Sequence, residues 1–361
     1  MKTFPCECGN TLHFENTRCL DCGRDAGFLP DARRLSAVEP GTGDVRRALA
    51  NGRLYRLCRN QRDYAVCNWL VPAEDSHPYC VSCRLNSLIP DLGEPQNLTL
   101  WYRIECAKRR LLYTLYGLGL PVTGRHEDPG HGLAFEFLAD PQAEEEFVND
   151  VLLRHRVMTG HRAGVITINI MEAEDSVRER IRIQMNERYR TLLGHFRHES
   201  GHYYWDHLLA GTAALDDFRA LFGDERADYG QAMQRYYDSG PALDWPQSWI
   251  SAYASMHPWE DWAETWAHYL HMVDTLETAH DFDSSVAGRR LGTVETLCAQ
   301  SGPGYGAAAR FDALMADWTR LSVALNALNR SMGLPDAYPF AVADAARDKL
   351  RYVHALIHSP R

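Results

Sequence analysis

The chain has 361 residues, which is enough for two domains or for one large domain with appendages. Its formal net charge of -10 argues against a broad, nonspecific grip on nucleic acid, because that grip needs phosphate-neutralising Lys and Arg. No apolar run approaches the ~20 residues that span a bilayer, and the N-terminus MKTFPCECGN lacks the apolar core of a signal peptide. We therefore expect a cytoplasmic protein without a membrane partner.

Eight of the ten cysteines form two groups of four, and clustered cysteines in a reducing compartment more often hold metal than form disulfides. The first group reads C-x-C, a ten-residue gap and C-x2-C, with Gly9 and Gly23 directly after each pair. Glycine permits the positive φ that lets backbone amides point at sulfur. We predict a structural zinc here, with buried or disulfide-linked cysteines as the alternative. Its ligands are Cys6, Cys8, Cys19 and Cys22.

The second group has the looser spacing C-x8-C-x12-C-x2-C and ends in CVSC. A redox CxxC pair with two incidental cysteines is the alternative, but the flanking sequence lacks a βαβ pattern. We predict a second structural zinc, held by Cys58, Cys67, Cys80 and Cys83. Residues 31–57, between the two groups, are expected to be a linker and a polar helix. Cys106 is predicted to be packed core, and Cys298 is the other cysteine outside the groups.

After residue 95 the pattern changes to longer helices and strands. Leucines at helical spacing predict a helix in NLTLWYRIECAKRRLLYTLYGLGLPV. Alternation predicts strands in GLAFEFLAD and GVITINI, with Ile166, Ile168 and Ile170 on one face of the second. Residues 175–209 are expected to be helical almost throughout. Further helices are expected near residues 213–222, 226–238, 259–275, 309–332 and 341–358.

Within the long helical stretch, residues 198–202 read HESGH, an HExxH motif. Residues four apart lie one turn apart on the same face, so His198 and His202 can share one tetrahedral zinc. Glu199 would then face the water-occupied coordination position and act as general base. The alternative is a polar helix with satisfied histidines. It is disfavoured because apolar residues make this helix core-packed, and unpaired buried imidazoles would be costly there.

A third ligand has to come from elsewhere in the chain. The HExxHxxGxxH extension is absent, because Trp205 and Leu208 occupy its glycine and third-histidine positions. The segment HPWEDWAETWAHYLHM, residues 257–272, places a row of Glu and His beside a stripe of tryptophans. If this helix packs through its tryptophans, we expect the neighbouring Glu and His side chains to face the protein interior, where they can bind a metal.

We choose Glu264 as this third ligand, because Ala263 and Ala267 beside it permit close helix approach. Glu260 or His268 is the alternative, either as the ligand or as a partner that orients an imidazole.

Acyl hydrolysis also needs a group that stabilises the oxyanion. Tyr253 and His257 precede the glutamate helix and could reach over the zinc, and we choose Tyr253. The alternative is a loop aromatic packed against the tryptophans.

Four segments together resemble one known family. They are CECGNTLHFENTRCLDCG, CNWLVPAEDSHPYCVSC, RYRTLLGHFRHESGHYYW and PWEDWAETWAHYLH. The chain resembles the bacterial zinc-ribbon-containing, zinc-binding metallopeptidases of the gluzincin-like HExxH group. The resemblance implies a zincin fold, with one helix carrying His198 and His202 and a second helix donating Glu264. The chain departs from the thermolysin-like pattern, because His268 rather than an acidic residue stands four positions after Glu264.

The expected fold class is α+β. A four-cysteine zinc ribbon in residues 1–30 and a linker with a second four-cysteine zinc module in residues 31–95 precede a zincin-like metallopeptidase domain. That domain, residues 96–361, is expected to combine a mixed sheet and active-site helices with a largely helical C-terminal part.

The predicted function is zinc-dependent hydrolysis of a peptide or isopeptide bond in a peptide or protein substrate, with one catalytic and two structural zinc ions. Substrate would pair with the GVITINI strand if that strand is a sheet edge.

A binding module is the main alternative. In it the cysteine sites would recognise a protein or nucleic acid, and the third metal would be non-catalytic. The cluster of arginines between the cysteine groups raises this possibility, although the overall acidity favours a solvated face for them. These arginines are Arg33, Arg34, Arg46, Arg47, Arg53 and Arg56. A non-hydrolytic metalloenzyme with the same three ligands is a further alternative. The oligomeric state stays open.

Overall fold

The computed structural model describes residues 1–139, 159–185, 187–282, 285–286, 289–290 and 307–359. Cys298 lies outside these residues. The chain divides into two compact units, Met1–Glu187 and Arg188–Arg361. The predicted domain boundary between residues 95 and 96 therefore falls inside the first unit. Within the described ranges, no helix is both long and apolar enough to span a bilayer.

The first unit begins with strands. A short hairpin pairs β1 (Phe4–Pro5) with β2 (Thr11–Leu12). Five strands then form an antiparallel sheet in chain order, closing over a small core of Leu29, Val38, Ala48, Tyr55 and Leu70. They are β3 (Asp25–Leu29), β4 (Arg34–Pro40), β5 (Val45–Ala48), β6 (Leu54–Leu57) and β7 (Leu70–Pro72).

The polar helix expected in residues 31–57 is therefore wrong. Gly43 and Gly52 adopt positive φ in the turns between β4 and β5 and between β5 and β6. Gly52 follows Asn51 in the connection between Ala48 and Leu54, and an Asn-Gly pair between strands is a hairpin signal. The arginines of β5 conceal its strand pattern, because a run of charged residues also fits the polar face of a helix.

A second sheet follows in the first unit, with strand order β10-β11-β9-β8. The strands GLAFEFLAD and GVITINI are confirmed as β9 and β11, and Ile166, Ile168 and Ile170 are all buried. Strand β11 is parallel to β9 and antiparallel to β10. It is therefore not an edge, and the condition for substrate pairing with it fails. The strands are β8 (Asn86–Leu88), β9 (Ala134–Leu138), β10 (Gly160–Arg162) and β11 (Val165–Asn169).

The helices of the first unit are α1 (Arg59–Tyr64), α2 (Pro95–Gly117) and α3 (Asp175–Gln184). Helix α2 confirms the helix predicted in NLTLWYRIECAKRRLLYTLYGLGLPV and ends at Gly117. The near-continuous helix expected over residues 175–209 is wrong, because α3 ends at Gln184 and the next helix starts at Leu192. Thr191 caps that new start, with its side chain accepting a hydrogen bond from the Gly194 amide at 3.0 Å.

The second unit is mainly helical, as expected of the C-terminal part. Each later helix predicted from the sequence is present within a few residues of its expected position. The helices are α4 (Leu192–Leu208), α5 (Ala214–Phe222), α6 (Tyr229–Ser239), α7 (Trp245–Ser248), α8 (Pro258–Asp281), α9 (Ala307–Ser331) and α10 (Asp344–Ile357). A short pair of strands, β12 (Ser285–Val286) and β13 (Arg289–Arg290), lies between α8 and α9.

The packing of α4 against α8 organises the second unit. Trp262 and Trp266 of α8 are completely buried. Their indole Nε1 atoms donate to the Gly201 carbonyl at 2.8 Å and to the Ser200 hydroxyl at 3.1 Å. A buried indole needs such a partner for its N–H, and here both partners lie within the HExxH motif. The tryptophans therefore fix the depth and rotation at which α8 meets α4.

Candidate metal centres

Helix α4 presents the two histidines of HExxH on one face. The ring centroids of His198 and His202 lie 5.0 Å apart, as the one-turn spacing predicts. The ring of His202 packs against Trp259 of α8 at 4.4 Å. Both imidazoles are thus held between the two helices, with their polar atoms directed toward groups on α8.

Glu260 of α8 meets both imidazoles. Its Oε2 lies 2.9 Å from Nε2 of His198, and its Oε1 lies 3.5 Å from Nε2 of His202. One candidate donor atom from each of these three residues lies within 4.8 Å of the other two. Two imidazole nitrogens and one carboxylate oxygen form a common protein ligand set for catalytic zinc, which leaves the fourth position open.

Glu264, chosen as the third ligand from the sequence, lies one turn further along α8. Its Oε1 is 2.7 Å from Nδ1 of His198, and its Oε2 accepts a hydrogen bond from the Ser251 hydroxyl at 2.6 Å. Glu264 therefore contacts Nδ1 of His198, whereas Glu260 contacts Nε2 of the same ring. Glu260, one of the alternatives to Glu264, is the carboxylate that groups with the two histidines within 4.8 Å, and the choice of Glu264 as the third ligand stays a prediction. The crossing point of the helices, which the sequence does not specify, determines this grouping.

The charges in this cluster are strongly coupled. Burial disfavours an imidazolium, but hydrogen bonds to Glu260 and Glu264 raise the pKa of His198 well above its ordinary value. Burial also disfavours a carboxylate, but His202 and His198 hold the pKa of Glu260 well below its ordinary value. The two carboxylates therefore favour positive charge at the centre of the cluster, which a divalent cation would supply.

Glu199 follows the first histidine on α4 and is only 8% exposed. Burial raises the pKa of its carboxyl above the ordinary value, although His198 and His202 oppose that rise. A raised pKa suits a group that both accepts and releases a proton near neutral pH.

Two tyrosines lie beside the cluster. Tyr253, in the short 3-10 helix Tyr253–Ser255, has its ring centroid 6.0 Å from that of His198. Tyr229, the first residue of α6, donates its hydroxyl to Oε1 of Glu260 at 3.0 Å. Sequence reasoning missed Tyr229, because it lies 31 residues before its partner and belongs to no motif. The oxygen that accepts from Tyr229 is the one that lies 3.5 Å from Nε2 of His202.

His257, the other residue considered for oxyanion stabilisation, has a structural role. Its Nδ1 accepts a hydrogen bond from the Trp259 amide at 3.1 Å, which caps α8, and its Nε2 lies 3.0 Å from the Ala227 carbonyl. Both ring nitrogens are thus engaged away from the cluster. His268, the remaining alternative ligand, is buried with its Nδ1 2.7 Å from the Tyr338 hydroxyl and is not part of the group.

The first cysteine group converges as predicted. Sulfur separations are 3.8 Å between Cys6 and Cys22 and 3.6 Å between Cys8 and Cys19. Four zinc–sulfur bonds of about 2.3 Å in a tetrahedron place sulfurs about 3.8 Å apart, far beyond a disulfide bond. Gly9 and Gly23 have φ of 94° and 70°, which confirms the positive-φ turns expected after each pair.

The second cysteine group also converges, and all four of its members are buried. The sulfurs of Cys67 and Cys80 lie 3.7 Å apart. Backbone amides point at the sulfurs: the Cys80 amide donates to Cys58 at 3.4 Å, and the Trp69 amide donates to Cys67 at 3.4 Å. Neither group contains a disulfide. The donor chemistry of both groups fits zinc.

Comparison with known families agrees with these donor sets. A family model described as "Putative zinc-binding metallo-peptidase" matches residues 97–356, and a zinc-ribbon domain matches residues 3–94. The chain belongs to this metallopeptidase family. The resemblance inferred from the four sequence segments is thereby confirmed, and so are the N-terminal zinc ribbon and the metallopeptidase domain.

Similar proteins occur in mycobacteria. The chain is 41% identical over 359 residues to uncharacterized proteins of Mycobacterium bovis and Mycobacterium tuberculosis. The alignments cover 99% of this chain and 95% of each relative. No solved structure matches the chain.

The arginines between the cysteine groups are largely engaged within the protein. Arg47 pairs with Glu39 at 2.9 Å, and Arg53 contacts both Asp31 and Glu74. Both side chains remain about half exposed, so these are surface ion pairs, which typically contribute little to stability.

Proposed function

We propose that this metallopeptidase-family protein is an active zinc-dependent hydrolase that cleaves a peptide or isopeptide bond. The observation that carries the proposal is the convergence of His198, His202 and Glu260 beside Glu199. A purely structural metal site would use four protein ligands, as the two cysteine groups do. This cluster offers three ligands and a neighbouring carboxylate, which is the composition of a catalytic site.

In this proposal Glu260, not Glu264, is the third zinc ligand. Glu264 accepts the Nδ1 proton of His198 and thereby fixes the tautomer that leaves Nε2 available to the metal. This assignment also removes the departure from the thermolysin-like pattern. An acidic residue, Glu264, now stands four positions after the glutamate ligand.

The chemistry divides between the metal and the chain. Zinc, when bound, would polarise the scissile carbonyl and lower the pKa of water to about 7. Glu199 accepts the proton of the attacking water at its carboxylate and delivers it to the nitrogen of the leaving amine. Tyr253 donates its hydroxyl to the developing oxyanion. Tyr229 holds Oε1 of Glu260 in place.

The two cysteine groups would each hold one structural zinc, and the second unit would provide the helices of a zincin-like fold. The HExxH helix and the crossing glutamate helix support that proposal. The rival binding-module function is less favoured, because it needs neither Glu199 beside an open ligand position nor the hydrogen bond that His198 donates to Glu264.

Glu199→Gln tests the proposal. The amide keeps the shape of the side chain but cannot take a proton, so the variant should retain its full zinc content and lose hydrolysis of casein and of a quenched fluorescent peptide library. Glu179→Gln is the control, because Glu179 pairs with Arg182 at the surface of α3. Wild-type turnover by zinc-loaded Glu199→Gln would refute the assigned mechanism. If the zinc-loaded wild type cleaves neither probe, the binding-module function is favoured.

A further inference from the structure

Helix α2 carries a cluster of charged side chains inside the first unit. Glu105, Lys108 and Arg109 are 0%, 0% and 1% exposed. The Lys108 ammonium lies 2.9 Å from Oε2 of Glu105, and the Arg109 guanidinium lies 3.7 Å from the same oxygen. The single carboxylate of Glu105 is thus the acidic partner of both Lys108 and Arg109. The excess positive charge needs another anion, since a buried charge without a partner costs several kcal/mol.

The position of Arg109 indicates where that anion lies. Its Nη1 donates to the Val66 carbonyl at 2.8 Å, directly before Cys67 in the chain. Its Nη2 donates to Sγ of Cys106 at 3.4 Å. The contact with Val66 places the guanidinium one residue along the chain from Cys67 of the second group, whose four members are all buried. Burial alone would lower the pKa of Arg109, but attraction to Cys67, and also to Cys106 and Glu105, raises that pKa above its ordinary value.

We propose that Arg109 is the counter-charge of the metal-loaded group formed by Cys58, Cys67, Cys80 and Cys83. Four thiolates around one divalent zinc carry a formal charge of about -2, and the guanidinium neutralises part of it where water cannot. The same contact holds α2 to this metal centre. Arg109 is thus a positioning residue that acts on the zinc through its thiolates.

The first cysteine group provides an internal comparison. Cys8 is exposed, Cys22 is half-buried, and Arg24, the arginine beside this group, has 42% of its side chain exposed. Water screens the charge of that group, so a neighbouring arginine matters little there. The two zinc centres should therefore differ in their dependence on α2.

The contact of Arg109 also bears on where the zinc-ribbon domain ends and the metallopeptidase domain begins. The family model for the metallopeptidase starts at residue 97 and so includes α2, whereas the zinc-ribbon match ends at residue 94. The contact of Arg109 with the Val66 carbonyl crosses that boundary. The second zinc centre is therefore part of the folding unit that contains α2, rather than a detachable appendage.

Zinc release from the full-length, zinc-loaded protein tests the proposal. The protein is incubated with EDTA, pulsed with iodoacetamide, and mapped by mass spectrometry so that each cysteine is scored separately. In Arg109→Met, the four cysteines of the second group should become alkylated about 10- to 100-fold sooner than in wild type, because outer-sphere partners change metal affinity by that factor. The first group should be unchanged.

Arg110→Met is the matched control on the same helix. Arg110 pairs with Glu15 at 2.5 Å and is 40% exposed in its side chain, so its loss should leave both groups at the wild-type rate. Equal alkylation of the second group in wild type and Arg109→Met would overturn the proposal. If Arg109→Met fails to fold, Arg109→Lys decides the question, because it keeps the charge. The lysine variant should release zinc less than about 10-fold faster than wild type, and release 10-fold faster or more would overturn the proposal.

Discussion

Gly201 of α4 and Ala263 of α8 are in direct contact. A Cβ atom placed on Gly201 would lie 2.9 Å from Cα of Ala263 and 3.3 Å from the Trp266 side chain. Backbone cannot yield in the way that the end of a side chain can. This close approach brings the carboxylate of Glu260 to the imidazoles of α4, so the glycine within HExxH has a geometric role beyond the motif itself.

Gly201→Ala should therefore push the two helices apart. We expect the loss of the zinc held by the histidine site and a stability loss of about 1–3 kcal/mol, typical of an overpacked core. Zinc analysis and urea unfolding measure both effects. Gly230→Ala in α6 is the control, because its Cβ would be no closer than 3.5 Å to its nearest neighbour. Full zinc content in Gly201→Ala would contradict the proposed role of helix approach.

Tyr253→Phe tests the oxyanion assignment. Removal of one such donor lowers kcat by about 10²–10³-fold, and we expect that loss with little change in KM and with full zinc content. Tyr237→Phe is the control, since that side chain is half-exposed on α6. A Tyr253→Phe variant with wild-type kcat would leave Tyr253 as a packing residue only.

Lys349 of α10 and Asp261 of α8 form a buried ion pair, with Nζ 2.5 Å from Oδ2. Lys349 also donates to the Ser248 carbonyl at 3.0 Å. Breaking a buried pair from one side typically costs about 3–5 kcal/mol, so Lys349→Met should lower the free energy of unfolding by that amount in urea titrations. The double variant Lys349→Met, Asp261→Leu should recover most of it. A single variant within about 0.5 kcal/mol of wild type would show that the pair contributes little.

His354 of α10 should make the stability of the protein sensitive to acid. It is 1% exposed, and burial lowers its pKa from 6.5 to about 3. The unfolded chain then binds more protons between these values, so the stabilising contribution is present above about pH 6.5 and is lost as the pH falls toward about 3. Urea unfolding at several pH values measures this slope.

His354→Gln removes the titrating group and retains an acceptor for the Tyr269 hydroxyl, which lies 2.9 Å from His354 Nδ1. The variant should show a shallower loss of stability below pH 6.5 than wild type. His207→Gln, on the exposed face of α4, should follow the wild-type slope. Identical slopes for all three proteins would rule out His354 as the source.

The parts of the site that depend on local spacing were predictable. The two imidazoles of HExxH lie four residues apart on one helix, and each cysteine pair lies on one tight turn. The choice between Glu260 and Glu264 as the third ligand could not be made from spacing, because the two glutamates lie one turn apart on the same face of α8. Only the depth at which α8 crosses α4 decides between them, and that depth follows from the packing of Gly201 against Ala263 together with the hydrogen bonds of Trp262 and Trp266.

The helices and strands also divide into those that local pattern predicts and those that it does not. Helices with a clear apolar stripe and the strand GVITINI could be predicted, since their patterns repeat over several residues. The strands of residues 31–57 could not, because their arginines hid the alternation. The pairing of β11 on both sides depends on β10 and β9, which no property of β11 itself reveals.

The most direct test compares the zinc held by the histidine site in Glu260→Ala and in Glu264→Ala. We expect Glu260→Ala to bind one zinc fewer per chain than wild type. Glu264→Ala should keep that zinc, with affinity reduced by about 10- to 100-fold through loss of the hydrogen bond to His198. An empty site in Glu264→Ala together with wild-type zinc content in Glu260→Ala would contradict the account.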